Sequence, residues 1–160
     1  SVILRRRGMI VEEVQAYHGL DTMKLTGLVV SAIQTFRPHE ITVDEVGIGA
    51  GVVDRLHEQG YPVQGVNVGR APKDSDHYAN LRAEAFWNLR QIFLEGDIGI
   101  PPDNDLVGQL AALRYSFNSL GQAVIESKDE MRRRGMPSPD KADALMLAFL
   151  SSKRKVRLWG

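Results

Sequence analysis

Asp140 and Asp143 stand three residues apart in a stretch that opens on Ser138-Pro139 and reads as the start of a helix. On a helix, that spacing projects two side chains from one side, one turn apart. Carboxylates so placed repel, and a divalent cation beside them offsets the repulsion. Asp140 alone has a simpler reading, as a first-turn partner of the helix dipole. That reading does not cover Asp143, which sits in Ala142-Asp143-Ala144-Leu145 among residues that read as buried. An unpaired buried carboxylate is costly, so Asp143 calls for a cation, either a metal or a buried partner such as an arginine.

Asp44 is the third carboxylate of interest. It ends the apolar run Ile41-Thr42-Val43 and precedes the glycine-rich Gly47-Ile48-Gly49-Ala50-Gly51. Ligands of open α/β sheets gather at the carboxyl ends of strands. Taken alone, however, an aspartate there more simply hydrogen-bonds the turn. The glycines do not spell a nucleotide site: Val52 occupies the sixth position of a would-be G-x-G-x-x-G, and no G-x-x-x-x-G-K-[ST] occurs. They are read instead as letting the backbone pass close to something beside Asp44.

Asp44 and Asp143 together suit hard-cation chemistry on phosphate, in which two ions about 4 Å apart hold the attacking and leaving oxygens of a phosphodiester. The chain has no cysteine, so a metal must be held by oxygen or imidazole, which favours Mg²⁺ or Mn²⁺ over zinc. Residues 128–137 carry Lys128, Arg132, Arg133 and Arg134 immediately before the helix of Asp143. Read as a basic loop, they can reach a DNA backbone held at the metals, or form a solvated connection.

The elements that must position these residues follow from local pattern. Residues 2–4 and 10–16 read as two strands joined at Gly8-Met9. Asp21 is a candidate cap for a helix with Leu25, Leu28, Val29, Ile33 and Phe36 on one face, ended by Pro38. Residues 40–44 read as a strand, 52–59 as a helix and 62–68 as another strand. A long amphipathic helix from about Leu81 closes at Gly96, and residues 98–100 read as a short strand. Asp105 is expected to cap a brief helix to Leu113, and residues 114–117 and 123–127 to pair as strands. In the last helix Ser138 is the expected N-cap, with the helix running to about Leu150. Strands that begin as a hairpin and then alternate with helices predict a mixed α/β sheet covered by helices.

Composition sets the frame. At 160 residues and 43% apolar content the chain supports one core and one domain, expected over residues 1–152 with a basic tail at 153–160. No apolar run approaches the roughly 20 residues of a membrane span, which predicts a soluble protein. Lack of cysteine fits a reducing cytoplasm. Twenty basic and twenty acidic side chains cancel, so any attraction to nucleic acid must come from local clusters. The chain opens on Ser1 without methionine, inside a strand-like run, and is expected to be a processed product or an excised fragment.

Four segments together resemble the C-terminal nuclease domain of phage terminase large subunits. They are Val43-Asp44-Glu-Val-Gly47-Ile-Gly49-Ala-Gly51 onward to Leu56, Asn80-Leu-Arg-Ala-Glu84-Ala-Phe-Trp87, Glu126-Ser-Lys128-Asp-Glu-Met and Ser138-Pro-Asp140-Lys-Ala-Asp143-Ala-Leu. The resemblance covers nearly the whole chain in order. It implies an RNase H-like mixed sheet flanked by helices, shared with RuvC-type junction resolvases, and a metal-dependent endonuclease that cuts concatemeric double-stranded DNA. It implies Asp44 and Asp143 as metal ligands, Asp140 as an auxiliary one, and Lys128 as a lysine that contacts the scissile phosphate, replaces a metal's charge, or is only a surface cation. It further implies a first strand with another aspartate upstream of Ser1. In the full-length protein it implies an N-terminal ATPase, a small terminase subunit and a portal as partners, in the cytoplasm of a host cell. The alternatives are a junction resolvase and a non-catalytic DNA-binding or docking module.

Overall fold

The computed structural model describes residues 1–151, so the expected basic tail at 153–160 lies outside the described residues. Strands β1 (Val2–Arg7) and β2 (Ile10–Ala16) pair antiparallel around Gly8, whose φ of 58° is the left-handed value such a turn favours in glycine. Alternation along β1 sends Ile3 and Leu4 to opposite faces. Leu4 packs against the core cluster that holds Val11, Val66, Leu89, Leu145 and Met146, whereas Ile3 packs against the one that holds Leu25, Val52 and Leu56. The strands therefore lie between two helical layers.

One layer holds α1 (Thr22–Phe36) and α2 (Ile48–Glu58). As expected, Asp21 caps α1, its Oδ1 accepting from the Lys24 N–H at 2.8 Å. β3 (Thr42–Asp44) leads through α2 to β4 (Gln64–Val66), and the two strands pair parallel, a βαβ unit. The other layer holds α3 (Leu81–Glu95), α4 (Asn104–Ala112) and α6 (Asp140–Ala148), with α6 packed on both β1 and β3. A second hairpin, β5 (Tyr115–Phe117) with β6 (Ala123–Ile125), precedes α5 (Lys128–Arg133).

Several expectations need correction. The single mixed sheet is realised, among the described residues, as three two-stranded sheets, because no ladder joins β1 to β3 although both sit in the same layer. The strand read at 98–100 is one bridge, Gly99 to Ile10. Helix α2 begins at Ile48, not 52. The cap of α4 is Asp103, which accepts from the Leu106 N–H at 3.0 Å, not Asp105. The stretch 128–137 is not all loop: Ser127 and Glu130 form a reciprocal capping box that starts α5. Ser138 does not cap α6. Pro139 stands at that position, and the Ser138 hydroxyl donates to Asp140 instead.

Asp103 ties α4 to α6 through Lys141, whose Nζ lies 2.9 and 2.8 Å from the two carboxylate oxygens. The Lys141 hydrogen bond holds the Asp103 carboxyl below its usual range. A depressed carboxylate contributes stability above its unfolded value, about 3.9, that is lost as pH falls through the lower folded value. Asp103→Asn keeps the cap but removes the charge. We expect it to unfold more readily at pH 7 and to lose part of the decline in stability below about pH 4, as urea titrations at several pH values would show.

Candidate metal and DNA site

Asp44 closes β3, and its Oδ1 accepts from the Val46 N–H at 3.1 Å. The chain then turns through Gly47, at φ 67°, straight into α2. Gly49 is obligatory here: a Cβ on it would lie 1.7 Å from the Asp44 carbonyl oxygen. The close approach expected of the glycines is thus to Asp44's own backbone. Gly49→Ala must push the helix start away from the strand end. We expect a loss of about 3 kcal/mol, a fall in melting temperature of about 6–12 °C by calorimetry.

Asp143 is 8% exposed. Its neighbours along α6, Ala142, Leu145 and Met146, belong to the buried core. Two cations meet it: Arg82 Nη2 lies 3.2 Å from Oδ1 and Lys128 Nζ 2.9 Å from Oδ2. Lys128 also lies 3.8 Å from Asp140, so one ammonium faces both carboxylates of α6. The structure therefore brings Asp140 and Asp143 to one side of α6 as the spacing predicted, and Lys128 faces both. Asp44 does not join them as a preformed cage: among the described residues no three His, Asp or Glu side chains converge as a ready metal site.

Arg82 is the residue that spacing did not single out. From the first turn of α3 it also donates to the Glu126 carbonyl oxygen at 2.7 Å and stands 5.0 Å from the Phe86 ring centre. It is the arginine partner that Asp143 called for, largely shielded from water and 61 residues away along the chain. Glu84, two residues on, is 8% exposed and accepts from the Lys73 N–H at 2.7 Å.

The basic residues divide by role. Arg134 turns inward, with Nε 2.6 Å and Nη2 2.7 Å from the Glu126 carboxylate and a further bond to the Ala112 carbonyl. That pairing holds the Glu126 carboxyl below its usual range. Arg132 and Arg133 are exposed, and Arg132 makes a surface pair with Asp129 at 3.0 Å. At the N-terminus, Arg5 and Arg7 pair with Glu12 across the hairpin, and Arg6 bonds the Ala148 carbonyl.

Helices on both faces of short parallel and antiparallel strands, with carboxylates at a strand end and on the last helix, define an α/β domain of a kind already solved. The fold is that of phage large terminase nuclease domains. The nuclease domain of the large terminase subunit gp2 of bacterial virus Sf6 superposes with a TM-score of 0.77 at 22% identity, over 89% of this chain and 78% of that one. A variant of that domain with manganese and β-thujaplicinol gives 0.78 at 21% identity, over 91% and 79%. The large terminase nuclease from thermophilic phage G20c with bound magnesium gives 0.68 at 17% identity, over 90% and 69%. No protein-family model and no curated protein sequence matches the chain.

Proposed function

We propose that this chain is the nuclease domain of a DNA-packaging terminase, a divalent-metal-dependent endonuclease acting on concatemeric double-stranded DNA. The observation that carries the reading is the fold shared with terminase nucleases, in which Asp140 and Asp143 stand one turn apart on α6 and face one ammonium, a second cation beyond the Arg82 that already pairs with Asp143. The donor set fits a hard cation. Two carboxylates already share one ammonium, and oxygen ligands are what Mg²⁺ and Mn²⁺ accept.

Asp44 and Asp143, with Asp140 assisting, would hold the metal ions. When bound, such ions supply Lewis acidity toward a phosphodiester and an activated water. The rest is done by the chain itself. Arg82 fixes the Asp143 carboxylate against rotation through the Glu126 carbonyl. Lys128 neutralises the α6 pair and stands beside the place of the scissile phosphate. Arg132 and Arg133, exposed on α5, take backbone phosphates, and Arg134 anchors that helix through Glu126.

A further strand upstream of Ser1 would fit between β1 and β3. Those strands share a layer, both underlie α6, and no ladder joins them. We propose that this strand completes the sheet and brings another carboxylate toward Asp44 and Asp143. In the whole protein the domain would work with an ATPase domain, a small terminase subunit and a portal.

Nicking of supercoiled plasmid tests the reading. A chain extended upstream is expected to convert the plasmid in Mn²⁺ and to stop in EDTA. A folded, extended chain that binds DNA without cutting would assign the domain as a docking module. Strong preference for four-way junctions over linear duplex would assign it as a resolvase.

A further inference from the structure

Beside α3 stands a set of aromatic side chains that the proposed chemistry leaves unused. β5 is exposed along its whole length, with Tyr115 at 55% and Phe117 at 61%. Trp87 meets Tyr115 edge-on at 5.1 Å between ring centroids and Phe117 at 6.3 Å, and the latter two are 5.9 Å apart. Large rings left together in water are unfavourable, and such a patch marks a surface that a ligand covers.

The chemistry around the rings narrows the ligand. Trp87 and Tyr115 border a cavity of about 430 Å³ whose other walls are mostly aliphatic. Among the described residues the charged side chains lining it are Arg90 and Arg114, and the acid that Arg114 faces, Glu126, stands outside the wall, bonded to Arg134. Arg90 holds its guanidinium 5.5 Å from the Trp87 ring centre. Ring faces with guanidinium groups and no acid match a flat π-system that carries phosphates. An apolar peptide would use the aliphatic wall but has no need of two arginines. Duplex DNA hides its base faces in the stack. We propose that this surface binds unpaired bases of a DNA strand, stacked on Tyr115 and Phe117 beside Trp87, with Arg90 and Arg114 on the adjoining phosphates.

The inference rests on the DNA-acting reading given above and extends it to strand state. The surface flanks the carboxylate pair. Tyr115 pairs with Ile125 of β6, three residues before the Lys128 that faces Asp140 and Asp143. The platform would hold a strand whose pairing has opened beside the cut.

The test uses the full chain in EDTA, so that binding is read without cleavage. The chain has two tryptophans, and Trp159→Phe leaves Trp87 as the sole indole reporter. A twelve-nucleotide oligothymidylate is expected to quench Trp87. Tyr115→Ala and Phe117→Ala, both at exposed positions, are each expected to weaken that binding roughly 5- to 150-fold, with affinity for a duplex of equal length changed less than twofold. Unchanged oligothymidylate affinity in both variants, or an equal loss for duplex, would overturn the proposal. Unquenched Trp87 would overturn it too, and point the surface toward a protein partner. Plasmid nicking by the extended chain keeps the two readings apart. Nicking with no effect of the ring substitutions on oligothymidylate sinks this surface alone. Ring-dependent oligothymidylate binding by a chain that never nicks sinks the nuclease reading alone.

Discussion

Asp143→Asn is expected to reduce plasmid nicking by the upstream-extended chain on the order of a thousandfold while leaving a cooperatively folded protein. The magnitude follows from removing a full charge at a site where charge develops on phosphate, where a single lost electrostatic contact already costs that much. The fold should survive because the amide is isosteric and its oxygen still accepts from Arg82, now 3.2 Å from Oδ1. Lys128, nearly half exposed, can turn to water when its partner loses charge. The stability loss should be about 1–3 kcal/mol, the cost of weakening buried hydrogen bonds. Nicking assays beside urea melts separate the two effects. Activity within tenfold of the parent would remove Asp143 from the metal site.

Arg82→Met carries a large expected effect on stability. Methionine keeps the apolar stem against Phe86 but removes the guanidinium that bonds both Asp143 and the Glu126 carbonyl. Both side chains of the ion pair are 12% exposed, so water replaces the lost partner poorly. Breaking such a pair from one side costs about 3–5 kcal/mol, and because Lys128 stays 2.9 Å from the other carboxylate oxygen the expected loss lies at the lower figure. Arg82→Lys should recover only part of this, because an ammonium lacks the fork that reaches two acceptors at once. Urea unfolding of the three proteins measures it, and a methionine variant within 1 kcal/mol of the parent would show that Asp143 does not depend on Arg82.

Much of the fold was legible where the chemistry is local. The first hairpin turn at Gly8, the Asp21 cap and the Gly96 stop of α3 each depend on a few neighbouring residues. Two of the misread boundaries share one cause, in that a local preference was overruled by a contact. Gly49 reads as a helix breaker, yet it sits in the first turn of α2 because the Asp44 carbonyl leaves no room for a side chain. Ser138 reads as a cap, but its hydroxyl is bonded to Asp140. Helix α5 was different: its signal, Ser127 and Glu130 three apart, was present, and the surrounding charge masked it. The three separate sheets were not legible, since strand partnership across a layer leaves no periodic trace.

The site was legible in kind and less so in membership. Burial around Asp143 marked it as a carboxylate needing a cation, and the spacing to Asp140 placed the pair on one side of a helix. Neither could name Arg82, because pairing across 61 residues is set by how α3 packs on α6. Arg134 resembled its neighbours Arg132 and Arg133 in sequence, and only the approach of Glu126 turns it inward.

The measurement that bears most directly on the central claim is an anomalous difference map from crystals of the upstream-extended chain grown in Mn²⁺. Density for the ion is expected between the carboxylates of Asp44 and Asp143, with Lys128 drawn off Asp143. Crystals saturated with Mn²⁺ that show no ion at either carboxylate, and Lys128 still on Asp143, would contradict it.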